Sequence, residues 1–183
     1  MARIGILALQ GCIEPHVRIF ERLGHSVQKV KTEGDLEKVE RIVLPGGEST
    51  TMLRLLTMNK LEGPLKEFCT KNPVWGVCAG AILLAKKVSH PTQRSFALID
   101  VHAIRNFYGS QTDSFKAEVE FSDQRRTVDF IRAPRLEPLS KSVTTLALHN
   151  EVPVMLRSEN LLVSAFHPEL GEDPVFHEYF VNM

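Results

Sequence analysis

The chain has 183 residues, is 43% hydrophobic, and carries 22 basic against 22 acidic side chains, a formal net charge of zero. That size and apolar content suit one compact domain, residues 1–183, with a sizeable core. The charge balance excludes a strong electrostatic drive toward nucleic acid or an anionic membrane surface. Cys12, Cys69 and Cys78 are odd in number and match no paired CxxC zinc spacing, which suits a reducing compartment. No apolar run approaches the roughly 20 residues of a spanning helix, and no secretory signal fits the N-terminus. A soluble, cytoplasmic protein is expected.

In chain order, Ile4 to Leu9 is an apolar run that reads as a buried strand. Glu14 to Leu23 sets Val17, Ile19, Phe20 and Leu23 at helical spacing, with Gly24 placed to end the helix. Val27 to Val30 reads as a second strand, Asp35 to Val39 as a short helix, and Arg41 to Leu44 as a third strand halted by Pro45-Gly46-Gly47. Ser49 is expected to cap a helix carrying Met52, Leu53, Leu55 and Leu56. Leu61 to Cys69 is a further helical segment, Val74 to Val77 a strand, and Ala79 to Lys86 a helix. This alternation predicts a parallel sheet covered on both faces.

The second half differs. Phe115 to Phe121, Thr127 to Ile131, Val143 to Leu148, Val154 to Leu156 and Leu161 to Ala165 read as shorter strands between turns. Asp173 to Val181 predicts a terminal helix, with Pro174 in its first turn. The fold class is therefore α/β: three layers, a mostly parallel central sheet with helices on both faces, and antiparallel β additions in the C-terminal half.

Trp75-Gly76-Val77-Cys78-Ala79-Gly80 sets a cysteine between two glycines, after a strand and before a helix. That is the cysteine form of a nucleophile elbow, in which a sharp turn leaves no room for a Cβ at the glycines. The helix N-terminus beside the sulfur favours the thiolate. A motif this short also suits a buried, structural cysteine.

A thiolate hydrolase needs an imidazole within reach, often oriented by a third group. His167 follows an apolar strand in Phe166-His167-Pro168-Glu169. Pro168 is expected to keep the chain extended, so that His167 and Glu169 point the same way. Among the other histidines, His149 is expected in a hairpin turn, while His16 and His177 lie within helices and read as structural or solvated. Pro45-Gly46-Gly47-Glu48 ends a strand and opens a helix, where adjacent glycines allow backbone conformations closed to other residues. The N–H groups of Gly47 and Ala79 are candidates for an oxyanion hole. An ordinary tight turn accounts for the glycines as well.

With these pieces in order, the chain resembles class I, triad-type glutamine amidotransferases, and among them the glutaminase subunits of pyridoxal 5'-phosphate synthases. The resemblance runs through Leu9-Gln10-Gly11, Gly46-Gly47-Glu48-Ser49-Thr50-Thr51, Gly76-Val77-Cys78-Ala79-Gly80, Arg105-Asn106, Asp113-Ser114-Phe115, Ile131-Arg132-Ala133-Pro134 and His167-Pro168-Glu169. It implies Cys78 as nucleophile, His167 as general base and acid, and Glu169 as the group that orients it. It further implies that Gly46, Gly47 and Glu48 contact glutamine, with Glu48 on the α-amino group and Arg105 on the α-carboxylate. Backbone around Ile131 and Arg132 would complete the pocket, and Gln10 would order the oxyanion loop. Ile104 and Ser110 depart from the family pattern around the arginine, which carries an acidic residue and a second arginine there.

The implied reaction is hydrolysis of L-glutamine to L-glutamate and ammonia, with no metal and no cofactor. The chain has no evident second domain to use the ammonia, so the implied partner is a (β/α)8-barrel synthase subunit that makes pyridoxal 5'-phosphate. Two other classes compete: a cysteine hydrolase or peptidase of similar architecture acting on another amide or ester, and a non-catalytic binding module.

Overall fold

A computed structural model describes residues 1–109 and 114–183. Ser110 and Asp113, which were named in the motifs above, lie outside the described residues.

The first half follows the predicted alternation. Strands β1 (Arg3–Leu7), β2 (Ser26–Val30), β3 (Arg41–Leu44) and β4 (Val74–Val77) are connected through helices α1 (Glu14–Arg22), α2 (Glu33–Leu36), α3 (Ser49–Met58) and α4 (Glu62–Lys71). Gly24 follows α1 with φ +81°, a conformation that costs glycine nothing and stops the helix. Asp35 is the third residue of α2 and closes a reciprocal capping box with Thr32, which moves that helix upstream of its expected start. Helix α5 (Ala79–Leu84) stops short of the expected Lys86, because Ala85 enters a strand, β5 (Ala85–Ser89).

Two more strands were not expected from the sequence, β6 (Ile99–Ile104) and β9 (Arg135–Pro138). With β5 they build a separate three-stranded sheet, β5 parallel and β9 antiparallel to β6. The remaining strands are β7 (Phe115–Phe121), β8 (Gln124–Phe130), β10 (Thr144–His149), β11 (Val152–Ser158) and β12 (Leu161–Ser164), and the last helix is α6 (Val175–Val181).

The main sheet has nine strands in the order β2-β1-β3-β4-β12-β11-β10-β7-β8. Its first five strands run parallel, and antiparallel ladders carry it from β12 to the β8 edge. Alternation along β4 shows what covers each face. Trp75 points to α1 and α6, its ring 5.8 Å from His16 and 5.7 Å from Phe180. Gly76 points the other way, onto the start of α5, where a Cβ would stand 2.6 Å from Gly80 backbone. Helices thus cover both faces of the parallel half, as the fold class predicts. Among the described residues no helix is long and apolar enough to cross a membrane.

Candidate active site

The parallel strands β3, β4 and β12 end side by side, and their C-terminal ends deliver the three predicted segments to one place. After β4, Cys78 turns the chain into α5 with φ 48° and ψ −98°, a strained backbone for a residue with a Cβ. The turn is this tight because α5 packs directly on the strand ends. A side chain on Gly80 would overlap the Leu44 carbonyl at the end of β3. The glycines of the G-x-C-x-G motif are therefore steric requirements of the elbow.

After β12, the His167 N–H donates to the Asp129 carbonyl on β8 at 2.8 Å, which fixes the histidine backbone. The chain does not stay extended through Pro168, as expected; Pro168–Leu170 forms a 3-10 turn. It is this turn that brings the Glu169 carboxylate back beneath the imidazole, with Oε1 2.8 Å from His167 Nδ1. Glu169 is 3% exposed and His167 6%. Burial opposes a charge on His167, but hydrogen bonding and charge from Cys78 and Glu169 overcome it and push the imidazole up to about 10. Burial likewise works against the Glu169 carboxylate, yet His16 and His167 hold it below the usual glutamate range. Cys78 Sγ also lies 3.8 Å from the Ile131 carbonyl.

The Gly46-Gly47 loop departs from its expected reason. Neither glycine adopts the left-handed backbone; both are glycine because of what surrounds them. A Cβ on Gly46 would overlap the His167 ring, and one on Gly47 would meet Gln10 Oε1 at 2.6 Å. The Gly46 carbonyl accepts from the Cys12 N–H at 2.9 Å. Across a trans peptide the next N–H points the opposite way, so the Gly47 N–H turns away from the Gly11–Cys12 segment. Gln10 Oε1 accepts from the Glu48 N–H at 3.0 Å and so braces the loop.

Glu48, not Ser49, caps α3: its Oε2 accepts from the Thr51 N–H at 2.7 Å and from the Thr50 hydroxyl. Its extended backbone suits the cap position, while Ser49 is already inside the helix with its hydroxyl on Gln93. Burial raises the Glu48 carboxyl, but the hydrogen bonds from Thr50 and Thr51 bring it down to about 2. The other oxygen, Oε1, lies 3.2 Å from Arg105 Nη2. Arg105 follows β6, part of the small sheet that the sequence did not reveal, and its N–H donates to the Ser89 carbonyl.

These groups surround a cleft of about 600 Å³, within the range of small-molecule sites. Gln10, Gly46, Gly47, Glu48, Cys78, Arg105, Ile131, Arg132 and His167 all line it. Ala79 and Glu169 do not; Ala79 is 1% exposed at the start of α5, and Glu169 stands behind His167. The lining also includes Gly11, Cys12, Ser49, Ile82, Asn106 and Leu170, none of which was expected there as part of the pocket. His149 ends β10 beside the Asn150-Glu151 turn and lies outside the cleft. His16 and His177 are not solvated: both are 0% exposed, and they hydrogen-bond to each other. His16 had a sequence signal, since it stands one helical turn before Phe20 on the buried stripe of α1.

A cysteine elbow after a central parallel strand, with a buried His–Glu pair beyond the adjacent strand, is the architecture of class I glutamine amidotransferases. Residues 6–183 match the SNO glutamine amidotransferase family, and the chain belongs to it. It is 43% identical over 181 residues to the pyridoxal 5'-phosphate synthase subunit PdxT of Francisella tularensis subsp. novicida (strain U112), covering 99% of this chain and 98% of that protein. A crystal structure of a glutamine amidotransferase superposes with TM-score 0.90 at 36% identity, covering 98% of this chain and 97% of the other. A glutamine amidotransferase from Thermotoga maritima, at TM-score 0.64 and 19% identity over 93% and 77% of the two chains, shares the fold.

Proposed function

We propose that this chain, acting as one glutaminase domain over residues 1–183, hydrolyses L-glutamine to L-glutamate and ammonia. The ammonia passes to a (β/α)8-barrel synthase subunit that makes pyridoxal 5'-phosphate. The observation that carries the reading is the joining, in one cleft, of Cys78 backed by His167 and Glu169 with a Glu48–Arg105 pair of opposite charge. A hydrolase for an arbitrary amide needs only the first group. A free amino acid has an ammonium and a carboxylate to recognise, and Glu48 and Arg105 answer to those two ends.

In this mechanism the Cys78 sulfur attacks the side-chain carboxamide carbon, and the oxyanion is met by the N–H groups of Gly47 and Ala79. The C–N bond breaks as the His167 imidazolium gives its proton to the departing nitrogen, leaving a thioester on Cys78 and free ammonia. Water then attacks the thioester with His167 as base, which releases glutamate and regenerates the sulfur. Glu169 fixes the imidazole through Nδ1 throughout. Backbone at Ile131 and Arg132 closes the pocket, and Gln10 supports the loop that carries Gly47. The 43% identity to PdxT over nearly the whole of both chains supports the coupling to a pyridoxal phosphate synthase.

Glutamate release from glutamine, measured with and without a pyridoxal 5'-phosphate synthase barrel, tests both halves. Release that rises with the barrel and vanishes in Cys78→Ala is the expected result. Release indifferent to the barrel would overturn the coupling, and none under either condition would overturn the glutaminase reading.

A further inference from the structure

Behind the cleft, two more imidazoles extend the line that begins at Cys78. Glu169 Oε1 faces His167, but Oε2 faces His16 Nε2 at 3.5 Å. His16 Nδ1 lies 2.9 Å from His177 Nε2. Both rings are completely buried against Trp75 and Phe20, and neither touches the cleft. Burying two imidazoles in such surroundings carries a desolvation cost that leucine would not, so packing alone does not account for them.

Counting hydrogens determines how the rings are oriented. Burial holds His16 below the ordinary histidine range and His177 well below it, so both are neutral, each with one donor and one acceptor. Among the described residues, His16 Nε2, Glu169 Oε2 and His177 Nδ1 have no other hydrogen-bond partner. A proton on His16 Nδ1 would set the Nε2 lone pair against the carboxylate and leave His177 Nδ1–H as a buried donor with no acceptor. A proton on His16 Nε2 avoids both. His177 Nε2–H then donates to His16 Nδ1, and His16 Nε2–H points at Glu169 Oε2. At 3.5 Å that is a dipole directed at a charge, longer than a full hydrogen bond.

We infer that His16 is a positioning residue for the reaction: held in one tautomer by His177, it aims an N–H at Glu169 Oε2 and keeps that carboxylate ionised beneath His167. The inference rests on the glutaminase reading, because it gives His16 a part in the same triad. The other groups facing Glu169 do not replace this donor. His167 occupies Oε1; the Cys12 thiol, on the segment before α1, is a weak donor to the carboxylate and is also exposed to the cleft, and the backbone N–H of Glu169 itself supports the carboxylate without reaching toward the buried imidazoles. From β8, Asp129 offers His167 only its carbonyl and turns its carboxylate to Lys116. Arg22, whose charge reaches His177, is engaged with the Glu172 carbonyl.

The test is glutaminase kinetics of the full chain in complex with the synthase barrel, followed across acid and neutral pH. His16→Phe keeps a ring and deletes both nitrogens, while His16→Gln returns an N–H near the Nε2 position. The Phe variant should lose about threefold to tenfold in kcat with KM within about twofold, less than a full hydrogen bond to a charged group would give. Its acid limb in kcat/KM should move up by about one pH unit, because Glu169 without its donor protonates more readily. The Gln variant should return the limb toward wild type. An unmoved limb in His16→Phe, or no rescue by Gln, overturns the inference. Should His16→Phe not fold, His177→Phe carries the same test, since it frees the His16 tautomer; an unmoved limb there is equally fatal. A wild-type complex that releases no glutamate would instead sink the glutaminase reading, and this inference with it.

Discussion

Arg105 Nη2 stands 3.2 Å from Glu48 Oε1, so the two side chains suited to the ends of an amino acid hold each other across the cleft. In the function proposed above, glutamine parts them, offering its carboxylate to the arginine and its ammonium to the glutamate. The pair keeps each charge compensated until then, since a charge without a partner is costly in a partly buried site. Glu48 also caps α3 through Oε2, so its two oxygens have separate duties.

That division predicts different outcomes for two substitutions. Glu48→Gln retains an oxygen for the Thr51 N–H and removes only the charge. It should lower kcat/KM about tenfold to a hundredfold, chiefly through KM, and give up only the charge-dependent part of the cap's stability. Glu48→Ala should lose the same activity and about 1 kcal/mol of stability as well, because the cap disappears. Steady-state kinetics alongside chemical denaturation separate the two; equal stability in both variants would show that the cap contributes nothing.

Gly46 is the place where a single methyl group should disable the proposed Cys78–His167–Glu169 triad. Its Cβ would overlap the His167 imidazole, which Glu169 and Asp129 hold in place. Gly46→Ala should therefore reduce kcat by at least about a hundredfold and destabilise the fold by about 1–3 kcal/mol, as overpacked sites do. Gly63→Ala is the control. Its Cβ would meet nothing within 4 Å in α4, so activity should be unchanged and stability slightly increased. Full activity in Gly46→Ala would contradict the ring position.

The charge on His167 makes stability depend on pH in a definite direction. The imidazole is raised to about 10 in the fold from an ordinary value of 6.5. Between those values the folded chain binds the proton and the unfolded chain does not, so stability contributed by this group is present below about 6.5 and declines as pH rises toward about 10. His167→Gln should flatten that decline in denaturation midpoints taken across the alkaline range. At the acid end the sign reverses for Glu48. Its contribution is present above the ordinary 4.5 and is lost as pH falls through about 2, so Glu48→Gln should weaken the acid dependence.

The three cysteines should differ in reactivity although only Cys12 is appreciably open to solvent. Burial pushes the Cys69 thiol up to about 12, and burial with the Glu169 carboxylate does the same to Cys12. Alkylation follows the thiolate, so brief iodoacetamide treatment of the native chain should mark Cys78 alone by peptide mass spectrometry. Denaturation should open all three. Prominent native labelling of Cys12 would mean that Glu169 does not suppress it.

Local spacing accounts for everything that could be read from the residues alone. Helical and alternating periodicities located the elements of the parallel half, because burying one face imposes a repeat on neighbouring residues. The elbow cysteine, the glycine loop and the His-Pro-Glu run were legible for the same reason, each being a contiguous segment with its own backbone demands. The strand Ile99–Ile104 also alternates buried with half-buried residues, but its partners β5 and β9 are short and lie on either side of it in sequence, so pairing alone reveals the sheet. Why Gly46 must be glycine became visible only in the folded chain, since the reason is a ring 121 positions further along at His167. Folding likewise sets Arg105 against Glu48, and His16 against His177 across 161 positions. Such contacts leave no periodic mark because they join single atoms on distant segments, and chain packing, rather than neighbouring residues, determines which atoms meet.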